Sequence, residues 1–155
     1  MQKKISNVLI GIAGVHYVVS ELSRRGMIAL PTVRNTAGYD VIVMSPDGKK
    51  HANIQVKTSS KRVDFWLMPP SKNVREGPHD IYVFLRWLAK DKKFEGYLLK
   101  GQVAKSEVAD GERWQRKRVR RGLRKQIKQS VFIGRKNAKK ARAWAKAWQN
   151  WSLQN

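Results

Sequence analysis

Three polar residues stand where their types and spacing could do chemistry. Asp40 precedes the apolar run Val41-Ile42-Val43-Met44, while Gln55 and Lys57 lie two residues apart in the alternating segment His51–Thr58. In an extended chain such a pair points to one face of a sheet, so Gln55 and Lys57 converge, and a neighbouring strand can bring Asp40 beside them. An acid, an amide oxygen and an ammonium on one sheet edge suit metal-assisted hydrolysis of a phosphodiester. Asp40 and Gln55 are the candidate ligands of Mg²⁺ or Mn²⁺, and Mg²⁺ prefers oxygen donors and keeps several waters. The ion would polarise the phosphate and help generate hydroxide, and Lys57 would orient the attacking water or offset charge developing on phosphorus. The plain alternative is a half-buried strand pair carrying ordinary polar residues, although a lysine directly after Ile54-Gln55-Val56 is unusual for that. The literal dipeptide Pro46-Asp47 is followed by Gly48 and reads as a turn between strands, not as a metal site.

These residues need a sheet to hold them, and the apolar patterning supplies one. Ile5, Val8, Leu9, Ile12, Val15, Val18, Val19 and Leu22 recur at helical spacing, and Gly26 after Arg24-Arg25 is a natural stop. Met27–Leu30, Tyr39–Met44, His51–Thr58 and Phe65–Met68 read as strands, with Ser45–Gly48 as the turn of a hairpin. Ser71–His79 reads as a loop, and Ile81–Leu88 with Phe94–Leu99 as a second hairpin around Asp91-Lys92-Lys93. Beyond Gly101 the chain becomes helical and basic: Arg113–Gln129 and Lys136–Trp151 are candidate helices, separated by the short apolar insert Val131–Ile133. Helix, about five strands, then basic helices describe a mixed α/β domain.

Composition narrows the partner. The 155 residues carry a formal charge of +22, and all 11 acids lie at or before Glu112 while 15 Lys and Arg follow it. Solubility alone does not require acids to vanish from the last part of a chain. A polyanion is the natural counterpart, because Lys and Arg that neutralise phosphates release condensed counterions. Backbone contact is expected from Arg116, Lys117, Arg118, Arg120, Arg121, Arg124 and Lys125 on the first basic helix, and from Lys139 and Lys140 on the second. Arg34 and Asn35, in the loop before Asp40, are further candidates. Trp144, Trp148 and Trp151 form a helical stripe with Ala141 and Ala145. Its expected use is docking on the core or across a dimer, with base stacking the alternative. With no Cys, neither disulfides nor a thiolate zinc site can form. The apolar stretch Val8–Val19 is too short and too interrupted to be a signal peptide or a membrane span, so the expectation is a cytoplasmic protein with no membrane partner.

The segments Gly38-Tyr39-Asp40-Val41-Ile42-Val43 and Ile54-Gln55-Val56-Lys57-Thr58 resemble the D…(E/Q)xK signature of the PD-(D/E)XK nuclease superfamily. Ala13–Gly26 with Arg34-Asn35-Thr36 is similar to the opening helix and first loop of small prokaryotic members related to Holliday-junction resolvases. Asp80–Phe84 and Phe94–Leu98 are similar to their later strands. The resemblance covers roughly residues 11–104. It implies a restriction-endonuclease-like α/β core over 1–104, with an opening helix and a mixed sheet of about five strands, and a basic helical extension over 105–155 packed on the same domain. It also implies that Asp40 is the metal-binding acid, that Gln55 stands for the second acid, that the Val56 carbonyl is an extra ligand, and that Lys57 is the catalytic lysine. Duplex or branched DNA is the implied substrate, and homodimers are common among such nucleases. Two departures matter. Relatives usually carry a glutamate where this chain has Val15, and many have Glu where it has Gln55, so the site keeps one carboxylate and weak Mg²⁺ affinity is expected. His16, beside Val15, and Glu21, about 120° away around the helix, are poor replacements. The favoured expectation is a metal-dependent endonuclease acting on DNA. The alternatives are a DNA-binding module of the same fold that has lost the chemistry, and a basic RNA-binding protein. Relatives also have a helix after the lysine strand, and Thr58–Asp80 is too rich in Pro and Gly to show one.

Overall fold

The computed structural model describes residues 5–33, 38–60, 65–122, 130–132 and 138–153. Arg34, Asn35, Arg124 and Lys125 lie outside them. The opening helix α1, Asn7–Arg24, starts where the Ser6 side chain accepts the Leu9 N–H (3.2 Å) and ends where the chain turns at Gly26 (φ 78°). Five strands follow in one sheet: β1 (Ile28–Pro31), β2 (Val41–Met44), β3 (His51–Ser59), β5 (Asp80–Leu88) and β6 (Lys93–Lys100), in the spatial order β1-β2-β3-β5-β6. The sheet is mixed, since β3 and β5 run parallel while every other pair is antiparallel. Strand β4 (Phe65–Leu67) lies between β3 and β5 in sequence and pairs with β7 (Ser130–Phe132) in a separate two-stranded ribbon. Helix α2, Gly101–Arg120, leaves β6 directly, and α3, Ala138–Asn150, packs beside β6.

Alternation along β3 sorts the sheet into two faces. Ala52, Ile54 and Val56 are buried and join Val18 and Leu22 of α1, Val41 and Val43 of β2, and Ile81, Val83 and Leu85 of β5 in one core. The opposite face is covered only in part. Over β5 and β6, Tyr82, Phe84, Tyr97 and Leu99 are buried under Trp66 of β4 and under Ala104 and Val108 of α2. Over β2 and β3 it leaves Ile42 exposed and Asn53, Gln55 and Lys57 half-buried. Trp148 belongs to the first core at 3% exposure, and Trp144 packs against the second, so the Trp stripe of α3 is used for docking. Gly96 permits that approach: a Cβ there would lie 2.5 Å from the Trp148 ring.

One expectation is corrected. The first basic helix begins at Gly101, not Arg113, because its buried positions Gly101, Ala104, Val108, Glu112 and Gln115 run unbroken across that boundary. Between β3 and β5 the described residues form β4 and a 3₁₀ turn, Ser71–Asn73, in keeping with the strand and loop read there from the sequence. The 3₁₀ turn is anchored on α2, where the buried Glu112 carboxylate accepts from the Ser71 amide (2.9 Å) and hydroxyl (2.8 Å). Among the described residues no helix is long and apolar enough to cross a membrane.

Candidate active site and basic surface

Asp40 sits at the residue before β2, in register with Gln55 across the hairpin, since Val41 pairs with Ile54. Its backbone is fixed from two sides. The Asp40 amide donates to the Ile54 carbonyl (2.9 Å), and its carbonyl accepts from Thr32 N (3.0 Å), while the Thr32 hydroxyl donates to the Tyr39 carbonyl (2.6 Å). β2 gains no further residue at this end, so among the described residues β3 runs on past Ile54 without a strand partner on that side. The Asp40 carboxylate fills the gap: Oδ2 accepts from the Val56 amide and from Gln55 Nε2, each at 2.7 Å. Such short bonds to a carboxylate are of the charge-assisted kind. Because a strand residue turns its N–H and C=O to the same side, the Val56 carbonyl shares this edge.

Lys57 lies on the face of Gln55, about 7 Å further along β3. It is half-buried and lines a cavity of about 410 Å³ with Asn7, Thr58, Ser59, Ser60, Phe65, Trp66 and Leu67. Asp40 lines a second cleft, of about 610 Å³, whose walls include Asn7, Val15 and His16 of α1, Thr32, Tyr39 and Val56. Asn7 borders both. The structure therefore brings Asp40, Gln55 and Val56 together, with Lys57 one step along the same strand face. Val15 reaches the Asp40 cleft, and exposed His16 is on its rim. Glu21 is engaged elsewhere, in ion pairs with Arg24 (2.9 Å) and Arg25 (3.3 Å). Asp47 belongs to the turn, where the Ser45 hydroxyl (2.6 Å) and Lys49 amide (3.2 Å) donate to its carboxylate and hold it below the usual carboxylate range.

The oxygens that Asp40, the Gln55 side chain and the Val56 carbonyl could offer are of the kind a hard cation takes, but together they carry one negative charge. Asp40 keeps Oδ1 outside the bonds to Gln55 and Val56. A half-turn of the Gln55 amide would exchange its nitrogen for its oxygen and present a second donor. Among the described residues no group of three or more His, Asp or Glu could hold a metal ion.

One neighbour carries no spacing signal in the sequence. Arg75, in the loop before β5, lays its guanidinium over the Tyr39 ring at 4.3 Å. Its amide donates to the Tyr82 hydroxyl (3.0 Å), and Tyr82 is the β5 residue in register with Gln55. Burial pushes the Tyr82 hydroxyl above its ordinary value, against the opposing effect of the Arg75 amide.

Among the described residues the basic surface of the C-terminal part lies mainly on α2. Arg113, Arg116, Lys117, Arg120 and Arg121 are exposed there. Arg118 stacks on Trp114 (4.9 Å), which is itself 52% exposed. On α3, Lys139 is exposed and Lys140 pairs with Glu107 of α2 (2.5 Å).

No family model matches the chain, and no curated protein matches it. Among solved structures it is similar to that of a bacterial homing endonuclease, I-Ssp6803I, at 15% identity and a TM-score of 0.47, over 64% of this chain and 69% of that one.

Proposed function

We propose that this protein binds nucleic acid, DNA in preference to RNA, and hydrolyses its phosphodiesters with Mg²⁺ or Mn²⁺ at a site of the PD-(D/E)XK type. The observation that carries this reading is the Asp40 carboxylate, bonded to Gln55 and to the Val56 amide at 2.7 Å on an open strand edge, with Lys57 on the same face. Asp40 would hold the cation through Oδ1, with the Gln55 amide oxygen and the Val56 carbonyl as neutral partners. When bound, the ion supplies Lewis-acid polarisation of the phosphate and a water of lowered pKa. Lys57 contributes a positive charge beside the phosphate, where negative charge grows as the bond to the leaving oxygen breaks. Exposed Arg116, Lys117, Arg120 and Arg121 hold the backbone without reading bases, as contacts to phosphate do.

The second reading is a binding module without the chemistry. Val15 favours it, because an apolar side chain lines the Asp40 cleft where a second acid would raise cation affinity. One experiment separates the two. Plasmid and four-way-junction DNA are incubated with wild type, Asp40→Ala and Lys57→Ala in Mg²⁺ and in Mn²⁺, with binding, a structured-RNA competitor and thermal melting on the same samples. Metal-dependent products lost in both variants, with binding and folding kept, establish the nuclease. Tight binding without products in either metal would leave the binding module, and stronger binding to the RNA would overturn the DNA assignment.

A further inference from the structure

We propose that Trp114, exposed on the basic side of α2, is a stacking platform for an unpaired base, so that the nucleic acid this protein takes carries a single-stranded segment. The inference rests on the nucleic-acid reading above and deepens it by naming the kind of strand that reaches α2. Of the six tryptophans, Trp66 and Trp148 are buried, Trp87, Trp144 and Trp151 are half-buried, and Trp114 is exposed at 52%. It stands away from the core. The buried positions Gly101, Ala104, Val108, Glu112 and Gln115 define the inner face of α2, and Trp114 lies about 120° around the axis from the middle of that face. Arg118 lies over its ring, with the guanidinium carbon 4.9 Å from the centroid.

The surroundings of the ring suit a base better than they suit a packing role. Lys117, Arg118 and Arg121 follow it at spacings of three, four and seven, so it sits among cations on one side of the helix. The acids of α2 are engaged by other partners: Asp110 with Arg113, Glu107 with Lys140, and Glu112 with Arg116 and Ser71. An aromatic ring set among cations is the arrangement in which bases of a single strand stack while its backbone is neutralised. Local stability does not account for the residue, because Trp is a poorer helix former than the Lys and Arg around it. The two-stranded ribbon joins this platform to the candidate site. Phe65, Trp66 and Leu67 of β4 line the Lys57 cavity, β4 pairs with β7, and β7 packs on α2. A base inside a duplex has both faces covered by its neighbours, so the ring selects an unpaired nucleotide.

The test measures binding of fluorescent DNA probes, without added divalent metal, across a salt series. The probes are a short single strand, the same sugar–phosphate strand with its bases removed, and a duplex of the same sequence. Wild type is compared with Trp114→Ala, Trp114→Leu and Trp114→Phe, with thermal melting on the same samples. Trp114→Ala and Trp114→Leu should weaken binding of the base-bearing strand about 5- to 140-fold, the effect of losing one base–aromatic stack. The slope of log K against log salt should not change, since no charge is removed. Trp114→Phe, which keeps an aromatic face, should recover most of the loss. On the abasic strand all variants should bind as wild type does, and on the duplex the loss should be much smaller. Equal affinity of Trp114→Ala and wild type for the base-bearing strand, with a steep salt dependence in both, would remove Trp114 from the interface and leave the nucleic-acid reading intact. A loss of the same size on the abasic strand would give the ring a structural role and overturn the proposal as well. A wild type that shows no salt-dependent binding to any of these probes would overturn the nucleic-acid reading and this proposal with it. If Trp114→Ala melts well below wild type, the ratio of its affinities for the two single strands still decides, since a folding defect weakens both alike.

Discussion

The contact of α1 with β3 makes a sharp prediction, because two glycines in one helix should respond to the same change with opposite signs. Gly11 and Gly14 both lie inside α1, where alanine is intrinsically favoured by about 1 kcal/mol. An added Cβ at Gly11 would meet nothing within 4 Å. At Gly14 it would lie 2.1 Å from Thr58 Oγ1 and 3.1 Å from both Thr58 Cβ and Cγ2, so the helix or the strand must give by more than an ångström. Forcing an extra carbon into a packed contact costs about 1–3 kcal/mol. Gly11→Ala should therefore stabilise by about 0.5–1 kcal/mol, and Gly14→Ala should lie about 1–3 kcal/mol below it. Thr58→Ala removes two of the three clashing atoms, and Thr58 Oγ1 is buried with no hydrogen-bond partner among the described residues, so its loss should cost little. The double variant Gly14→Ala with Thr58→Ala should then recover part of the loss, with a coupling energy of about 0.5–3 kcal/mol. Urea titration gives each free energy, and thermal melting should follow at about 2–4 °C per kcal/mol for a chain of this size. Equal stability of Gly11→Ala and Gly14→Ala would refute the packing argument. The same displacement should reach function, since Val15 and His16 on this helix wall the Asp40 cleft and a shift of about 1 Å can cost two orders of magnitude in rate.

Two further perturbations probe the walls of the site. Trp148→Ala removes a ring that is 3% exposed, seated on Gly96, covered by Arg25 at 4.6 Å and tied to α1 through the Arg25 bond to its carbonyl (2.6 Å). A loss of about 3–5 kcal/mol in urea titration is expected, and a loss below 1 kcal/mol would mean that α3 does not dock through this residue. Tyr82→Phe concerns pH. Burial raises the Tyr82 hydroxyl in the folded protein above its unfolded value of about 10, so the unfolded chain loses this proton first. The sign is then fixed: this contribution is whole below about pH 10 and is lost as pH climbs from there through the raised folded value. Tyr17, raised chiefly by burial as well, acts in the same direction. Tyr82→Phe should cost about 1 kcal/mol at neutral pH through the orphaned Arg75 amide, and should flatten the fall in melting temperature above pH 10. Parallel alkaline curves for wild type and variant would count against this account.

What could be read from the chain, and what could not, divides along physical lines. Elements whose period is local were legible: the helical spacing Val8 to Leu22, and the alternation of Ala52, Ile54 and Val56 against Asn53, Gln55 and Lys57. The meeting of Asp40 with Gln55 followed from that alternation and one tight turn, since a hairpin fixes its own register. The start of α2 was hidden because two of its buried positions carry polar side chains. Glu112 and Gln115, 7% and 1% exposed, continue the apolar stripe of Ala104 and Val108 in place but not in chemistry. A periodicity argument counts apolar residues, so it lost the helix where it is most closely tied to the rest of the fold, at Glu112 on Ser71. The pairing of β4 with β7 was hidden for another reason. Trp66 and Val131 meet across a large sequence separation, and nothing local to either segment specifies the partner. Arg75 combines both difficulties: its loop has no period, and the ring it lies over is 36 positions earlier, brought beneath it only by the folded chain. Where a juxtaposition of side chains depends on a strand's own alternation, sequence suffices to find it. Where it depends on a loop folded back over that strand, the partner appears only when the sheet has been built.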